Sequence, residues 1–216
     1  MKKISNVHNL QVFSLLLIAY LLLAYISAEY IITNEIYYNS FSNNLPIEDI
    51  NSIISLQDKY SWIAYPLQLI SLALKVYFTG ACIYVGLLLG QQKIRFRRIL
   101  KVVLFSEMVF ILYSMARIVV LLSKDFSTLE QIQVFWPLSL FSFFQADSIP
   151  QWLFYPLYTI NIAEIAYWLV LALGLTYLMK TKFLQSLKTV LTSYGAGLLL
   201  WMCILVFAQL YFLEPV

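Results

Sequence analysis

Five long apolar stretches constrain this chain more than any other feature of its sequence. A membrane-spanning helix needs about 20 consecutive apolar residues, because the hydrocarbon core of a bilayer is about 30 Å thick. The stretches that meet this length cover residues 10–32, 62–89, 102–123, 155–179 and 189–213. They are continuous rather than alternating, which indicates helices and not the strands of a membrane barrel.

The composition excludes a water-soluble fold. Of the 216 residues, 62% are hydrophobic and only 12% are charged, and the mean hydropathy is +0.79. A soluble domain has about 25% charged residues with which to hydrate its surface. The six glycines and six prolines leave no room for a flexible linker. We therefore expect a single all-α, polytopic membrane domain built as a bundle of five transmembrane helices.

The charges outside the spans predict an orientation. The segments on one side of the predicted bundle, at the N-terminus and around 91–101 and 180–188, carry basic residues and no acidic ones, whereas the other side carries eight acidic residues and two lysines. Basic residues are retained in the cytoplasm, so we expect the N-terminus inside and the C-terminus outside. A cleavable signal peptide over 1–28 is an alternative to an uncleaved first helix, although its apolar run is longer than a usual signal core.

Two connections on the acidic side have structure of their own in this prediction. Residues 45–56 place isoleucines at helical spacing between polar residues, which predicts a short amphipathic helix. Residues 134–154 are rich in Phe and Trp and are interrupted at Pro137 and Pro150, which is typical of an interfacial or re-entrant segment. Alternatively, both act only as aromatic anchors at the membrane interface.

Four ionisable residues lie well inside the predicted spans, namely Lys75, Glu107, Arg117 and Glu164. Each costs about 3 kcal/mol when it is unpaired at the bilayer centre, so two cations and two anions are expected to neutralise one another. A rise of about 1.5 Å per residue places Arg117 and Glu164 at similar depth, which predicts an ion pair between them. Lys75 is then expected between that pair and Glu107.

The helical neighbours of these charges extend them into a polar seam. On the second helix, small and polar side chains recur every three or four positions, at Gln68, Ser71, Lys75, Thr79, Cys82 and Gly86. On the fourth helix, Asn161, Glu164 and Trp168 share a face. The seam is either a cavity that binds a headgroup, an ion or a proton, or a structural network that determines helix pairing. A water-filled cavity reaching Lys75 favours transport, and a dry, fully paired network favours a scaffold.

A basic cluster lies between the second and third spans, at Lys93, Arg95, Arg97, Arg98 and Lys101. Such cations attract anionic lipids by about 1 kcal/mol each, or they serve only as a topology signal. A segment this short does not predict nucleic-acid binding.

The sequence contains little that points to catalysis or to a cofactor. His8 is the only histidine, and no cluster of His and Cys has the spacing of a metal site. There is no glycine-rich phosphate loop. We therefore expect no enzyme activity, metal or cofactor; an intramembrane enzyme is the weaker alternative, because it requires a nucleophile next to a base.

Two segments carry a resemblance to a known family. They are Tyr-Val-Gly-Leu-Leu-Leu-Gly at 84–90, followed by the basic cluster, and the fourth helix, where Asn161 precedes Trp168 and then Leu-Ala-Leu-Gly-Leu at 171–175. Over about 62–205 the chain resembles the Yip1-domain family. The resemblance implies five helices, a cytoplasmic N-terminus and a scaffold or accessory subunit in membrane transport or organisation, with membrane-protein partners.

Eukaryotic relatives in that family are linked to small GTPases through a long cytosolic N-terminal region. Here about nine residues precede the first predicted helix, so we do not expect GTPase binding. The short connections favour a bacterial cytoplasmic membrane.

Overall fold

The computed structural model describes residues 9–145 and 148–212, and these residues are helical with no β-strand. The predicted all-α fold is therefore confirmed. The α-helices of the described residues are α1 (Asn9–Tyr30), α2 (Asn34–Phe41), α3 (Ile47–Tyr60), α4 (Ala64–Leu89), α5 (Phe96–Ser106), α6 (Met108–Ser123), α7 (Leu129–Val134), α8 (Phe154–Thr159), α9 (Ile162–Met179), α10 (Phe183–Val190) and α11 (Ala196–Phe212).

Five helical units are long and apolar enough to cross a membrane, as the sequence predicts. They are Asn9–Tyr30, Ile47–Leu89, Phe96–Ser123, Ile162–Met179 and Phe183–Tyr211. Within the most apolar part of each unit, at most 33% of the residues are buried inside the protein. Many of the remaining apolar side chains are exposed, which suits a lipid environment and not water.

The second and third spans begin earlier than expected. The amphipathic helix expected over 45–56 is α3, and a short 3₁₀ turn at Ser61–Ile63 joins it directly to α4. The third span begins at Phe96 rather than at residue 102, so the second half of the basic cluster is helical. This helix is interrupted at Glu107, where the Phe110 N–H bonds to the carbonyl three residues back instead of four.

The fourth predicted span, 155–179, is wrong as a single helix, because the chain is extended at 160–161 between α8 and α9. Asn161 ends the first helix and caps the second. An antiparallel bridge joins Ser139 to Asn161, with hydrogen bonds of 2.9 Å from Leu140 N to Ile160 O and 3.0 Å from Ile162 N to Leu138 O. The segment predicted as interfacial or re-entrant is thus folded against the start of α9, with 3₁₀ turns at Leu140–Phe143 and Gln151–Leu153.

The fifth span starts at Phe183 rather than at residue 189 and contains a π-helical turn at Leu191–Gly195 between α10 and α11. This turn packs closely on α4: a Cβ added at Gly86 would collide with the side chain of Ser193. The lack of a side chain therefore allows the two helices to approach, as is common between membrane helices.

The two ends of the bundle differ. We call the end that holds the connections 31–63 and 124–161 the capped end, and the end that holds 90–95 and 180–182 the basic end. A hydrogen bond of 2.9 Å from Asn9 Nδ2 to Arg97 O joins the start of α1 to the start of α5 at the basic end. The main core lies among α1, α4, α5, α9, α10 and the π turn, and includes Leu16, Ile83, Ile99, Val103, Leu171, Leu175 and Val190.

Candidate functional site

A buried ion pair connects the second and third spans. Lys75 Nζ lies 2.9 Å from Glu107 Oε2, and the Glu107 side chain is 0% exposed whereas that of Lys75 is 37% exposed. The Lys75 ammonium also lies 3.3 Å from the centre of the Phe110 ring, a favourable position for a cation. Tyr20 OH donates a longer bond of 3.4 Å to the same carboxylate oxygen. The pair itself is therefore complete without a ligand.

Three buried polar atoms around this pair lie close to one another but make no hydrogen bond of standard geometry among the described residues. They are Glu107 Oε1, Thr79 Oγ1 and Tyr167 OH. Unpaired buried polar atoms are uncommon in folded proteins, and they require an explanation where they occur together. Here they make the neighbourhood of the ion pair more polar than a structural pair alone would require.

Glu164 lies at the start of α9 and is held by three hydrogen bonds. Its backbone N–H bonds to Asn161 Oδ1 at 2.9 Å, which caps the helix. Its side-chain oxygen Oε1 accepts bonds of 2.7 Å from Trp168 Nε1 and 2.9 Å from Tyr194 OH. Glu164 is 7% exposed. The sequence predicted Asn161, Glu164 and Trp168 on one face, and the structure brings them together there.

Tyr194 belongs to the same cluster and was missed by sequence reasoning. It lies in the π turn of the fifth span, and π turns commonly occur at functional positions. Its hydroxyl reaches Glu164 across the bundle. No spacing rule for an ordinary helix would have assigned it to the seam.

The predicted ion pair between Arg117 and Glu164 is wrong. Arg117 Nε donates to Phe135 O at 3.0 Å and Nη2 donates to Ile132 O at 3.1 Å. Its guanidinium also lies 4.2 Å from the centre of the Trp136 ring. The physical reason is that carbonyls at the end of a helix lack intrahelical donors and carry partial negative charge, so the end of α7 competes successfully for the guanidinium.

A cavity of about 880 Å³ connects these groups. It lies between the Lys75–Glu107 pair and the capped end and is partly open. Lys75, Arg117, Asn161 and Glu164 all line it, whereas Glu107 and Trp168 stand behind the lining and contact it through Lys75 and Glu164. The predicted polar stripe on α4 has two parts. Gln68, Ser71, Lys75 and Thr79 line the cavity, whereas Cys82 and Gly86, nearer the basic end, pack on the fifth span.

Aromatic rings form the wall at the capped end. Trp136 stacks on Tyr158 with ring centres 4.8 Å apart, and Tyr155 meets Tyr158 edge to face at 5.2 Å. Trp201 Nε1 donates to Tyr155 OH at 3.0 Å. Burial, and to a lesser extent Tyr155, raises the pKa of Tyr158 to about 12, so its phenol is neutral at physiological pH. Of these rings, Trp136 comes from the segment expected at the membrane interface, whereas Tyr155 and Tyr158 were expected in the fourth span and Trp201 in the fifth.

The basic cluster lies at the other end of the bundle, away from the cavity. Lys93 and Arg95 lie in the connection between α4 and α5, and Arg97, Arg98 and Lys101 lie in the first turns of α5. All except Lys101, which is half-buried, are exposed. Their contact with anionic lipids stays a prediction.

Metal ligands do not cluster in the part of the chain that the structure describes, where no group of three His, Cys, Asp or Glu side chains converges. His8 lies outside the described residues. Cys82 and Cys203 are both free thiols. The cavity lining offers charges, hydroxyls and rings.

Comparison with protein-family models, with curated proteins and with solved structures gave no match to this chain. The resemblance to the Yip1-domain family therefore stays a prediction.

Proposed function

We propose that this multi-pass membrane protein binds a small amphiphilic molecule in the cavity between Lys75 and the capped end, and takes part in its transport across or within the membrane without chemical conversion. The observation that carries the proposal is the cavity itself, because it reaches Lys75 and is lined by charged groups. A structural network has no need for space beside its charges.

The distribution of charge supports binding rather than scaffolding. Lys75 and Glu107 neutralise each other, as a scaffold requires. Arg117 and Glu164 do not: both line the cavity, and in the described part of the chain neither has an ion-pair partner. Intramembrane charges of this kind commonly mark substrate or ion pathways.

The proposed orientation follows from the basic end. Its exposed cations favour the cytoplasmic side of a membrane, which places the capped end and the cavity in the outer half. We propose a bacterial cytoplasmic membrane as the location, in keeping with the short connections between spans. Movement of the ligand from the cavity to the cytoplasmic side would then require the Lys75–Glu107 pair to move, because this pair closes the cavity toward the basic end.

The second candidate is a scaffold or accessory subunit of the Yip1 type, as the sequence predicts. The completed Lys75–Glu107 pair is the observation that favours it, because such a pair can determine helix register without binding anything. The two candidates differ in one physical property: a transport cavity contains water, and a scaffold core is dry.

Thiol labelling tests for water in the cavity. In a variant with Cys82→Ala and Cys203→Ala, a single cysteine is introduced either at Ser114, which lines the cavity, or at Met115, which is exposed on the apolar outer surface of the same helix. The two positions are adjacent and share a depth. A polar maleimide reacts with the thiolate, which forms in water and not in lipid.

We expect the Ser114→Cys variant to react at least about tenfold faster than the Met115→Cys variant in isolated membranes. Equal, slow reaction at both positions would contradict a water-filled cavity and would favour the scaffold. The unfolded proteins in detergent serve as the reactivity standard, because both thiols are then fully accessible.

A further inference from the structure

The positive and negative charges in and beside the cavity are equal in number, but Arg117 and Glu164 do not form an ion pair with each other. Lys75 lies near enough to Glu164 to influence it, yet its single charge is already neutralised by Glu107 at 2.9 Å, so this pair adds no net charge. Arg117 and Glu164 contribute one positive and one negative charge to the same cavity. A ligand with only one charge would leave one of these two uncompensated.

We propose that the ligand headgroup is a zwitterion, with an ammonium group bound by Glu164 and a phosphate group bound by Arg117. This inference rests on the proposed function. It identifies the class of molecule that the same cavity takes, and it does so from the two unpaired charges rather than from the volume of the cavity.

Glu164 has the geometry of an ammonium acceptor. Its oxygen Oε1 is occupied by Trp168 and Tyr194, which orient the carboxylate. Its other oxygen, Oε2, accepts no hydrogen bond from the described residues, and the residue is buried except for the part that lines the cavity. An ammonium can donate three hydrogen bonds and neutralise this charge.

Arg117 has the complementary geometry for a phosphate. Two of its N–H groups are used on the carbonyls of Ile132 and Phe135, which hold the guanidinium in place but leave its full charge. The other N–H groups remain for the cavity, in the planar arrangement that matches phosphate oxygens. Stacking on Trp136 restricts the guanidinium further.

The remaining lining favours a lipid as the source of the zwitterion. Apolar side chains of several spans line the same cavity, including Leu74, Phe78, Phe110, Ile118, Leu121 and Leu198. They would accommodate the hydrocarbon near a headgroup through burial of apolar surface. A soluble zwitterion shares the headgroup chemistry but gains nothing from this surface.

Protection of Ser114→Cys from maleimide tests the ligand class. The purified variant, without its native cysteines, is placed in a non-ionic detergent, and its labelling rate is measured with short-chain phosphatidylethanolamine, with phosphatidylglycerol of the same chain length, and with glycerophosphoethanolamine. We expect the zwitterionic lipid to slow labelling and the anionic lipid to leave it unchanged. Protection by glycerophosphoethanolamine at the same concentration as the lipid would support the zwitterion and assign its source to solution.

The Glu164→Gln variant tests the assigned contact. Glutamine keeps an acceptor for Trp168 and Tyr194 but removes the charge, so we expect the concentration for half-protection to rise about tenfold or more, in line with loss of a charged hydrogen bond. The control is Glu130→Gln, which removes an exposed carboxylate on α7 outside the cavity and should leave protection unchanged.

The possible failures are distinguishable. If Ser114→Cys is labelled rapidly and both lipids slow this labelling equally, the zwitterionic ligand is contradicted and the proposed function stands. The same conclusion follows if Glu164→Gln leaves the lipid concentration for half-protection unchanged. Slow labelling in the absence of any lipid would overturn the proposed function and the ligand class together.

Discussion

The Lys75 and Glu107 side chains form an ion pair between two spans in a place where neither charge could be left alone. Glu107 is fully buried at the junction of α5 and α6, and Lys75 is its cation. The mutual attraction of a buried pair barely offsets the loss of hydration, but removal of one partner is strongly destabilising. Each charge is therefore required once the other is present, and the pair closes one end of the cavity at the same time.

Removal of the Lys75 charge tests this role. We expect Lys75→Met to destabilise the protein by about 3 kcal/mol, because it leaves the Glu107 carboxylate buried without a cation. The measurement is the thermal midpoint of the purified protein in a fixed detergent. The double variant Lys75→Met, Glu107→Gln should recover most of the loss, and a double variant no more stable than the single one would contradict the assignment.

At the scale of the element, Arg117 joins the end of α7 and the segment after it to the transmembrane bundle. Its two bonds to Ile132 and Phe135 and the bond of 2.7 Å from Tyr113 OH to Pro137 O all run from α6 to this segment. The segment in turn supplies Trp136 to the cavity wall. One intramembrane cation thus positions part of the cavity through backbone carbonyls.

Loss of this cation should release the segment and spare the bundle. In Arg117→Met we expect faster amide exchange at Trp136 and Leu140, since two charged hydrogen bonds worth about 1.5 kcal/mol or more each are lost. Hydrogen–deuterium exchange measured by mass spectrometry resolves this segment from the middle of α9, which should not change. Arg95→Met, at the basic end, is the control; identical exchange at 134–140 in all three proteins would refute the role of Arg117.

A second element-scale feature is the close packing of α5 against α9. A Cβ added at Gly174 would collide with the Val102 side chain. We expect Gly174→Ala to destabilise the protein by about 1–3 kcal/mol, as overpacking of a filled interface does. The thermal midpoint of the double variant Val102→Ala, Gly174→Ala should be higher than that of Gly174→Ala alone. If the destabilisations of the two single variants simply add in the double variant, the Gly174–Val102 contact is not the cause of the destabilisation.

For the whole molecule, the distribution of charge between the two ends predicts its orientation. Exposed Lys93, Arg95, Arg97 and Arg98 lie at the basic end, and such cations resist translocation. The capped end carries the acidic residues of α2, α3 and α7.

Epitope tags inserted at the two ends test this orientation. A tag after Gln91 should be accessible only in permeabilised cells, and a tag after Asn43 should be accessible in intact cells. Both insertions fall in exposed turns between helices, where the bundle tolerates them best. Exposure of the Gln91 tag on intact cells would contradict the proposed orientation.

The fold could be predicted from the sequence because its main signals are long and local. Each span is a continuous apolar run, and the α4 stripe follows helical spacing, so the residues Gln68, Ser71, Lys75 and Thr79 were found together. The break before α9 also had a local signal, since Asn161 and Glu164 have the spacing of a helix cap. The continuous apolar run nevertheless led to the prediction of a single helix over 155–179.

The candidate site could be predicted only in part, because its decisive partners are not neighbours in sequence. The partners of Arg117 are backbone carbonyls, which every residue has, so equal depth misleadingly favoured Glu164. Tyr194 faces the seam because a π turn shifts the helical register. The residue pattern of the sequence did not predict that turn. The aromatic wall required the segment at 134–154 to fold over the bundle rather than lie beside it.

Water in the cavity is tested by the ratio of labelling rates between Ser114→Cys and Met115→Cys on intact cells, with a maleimide that does not cross membranes. We expect a ratio of at least about tenfold, unchanged after permeabilisation, because a water-filled cavity opens toward the capped end on the outside. A ratio near one, with or without permeabilisation, would show that the charges of this bundle are enclosed in a dry core.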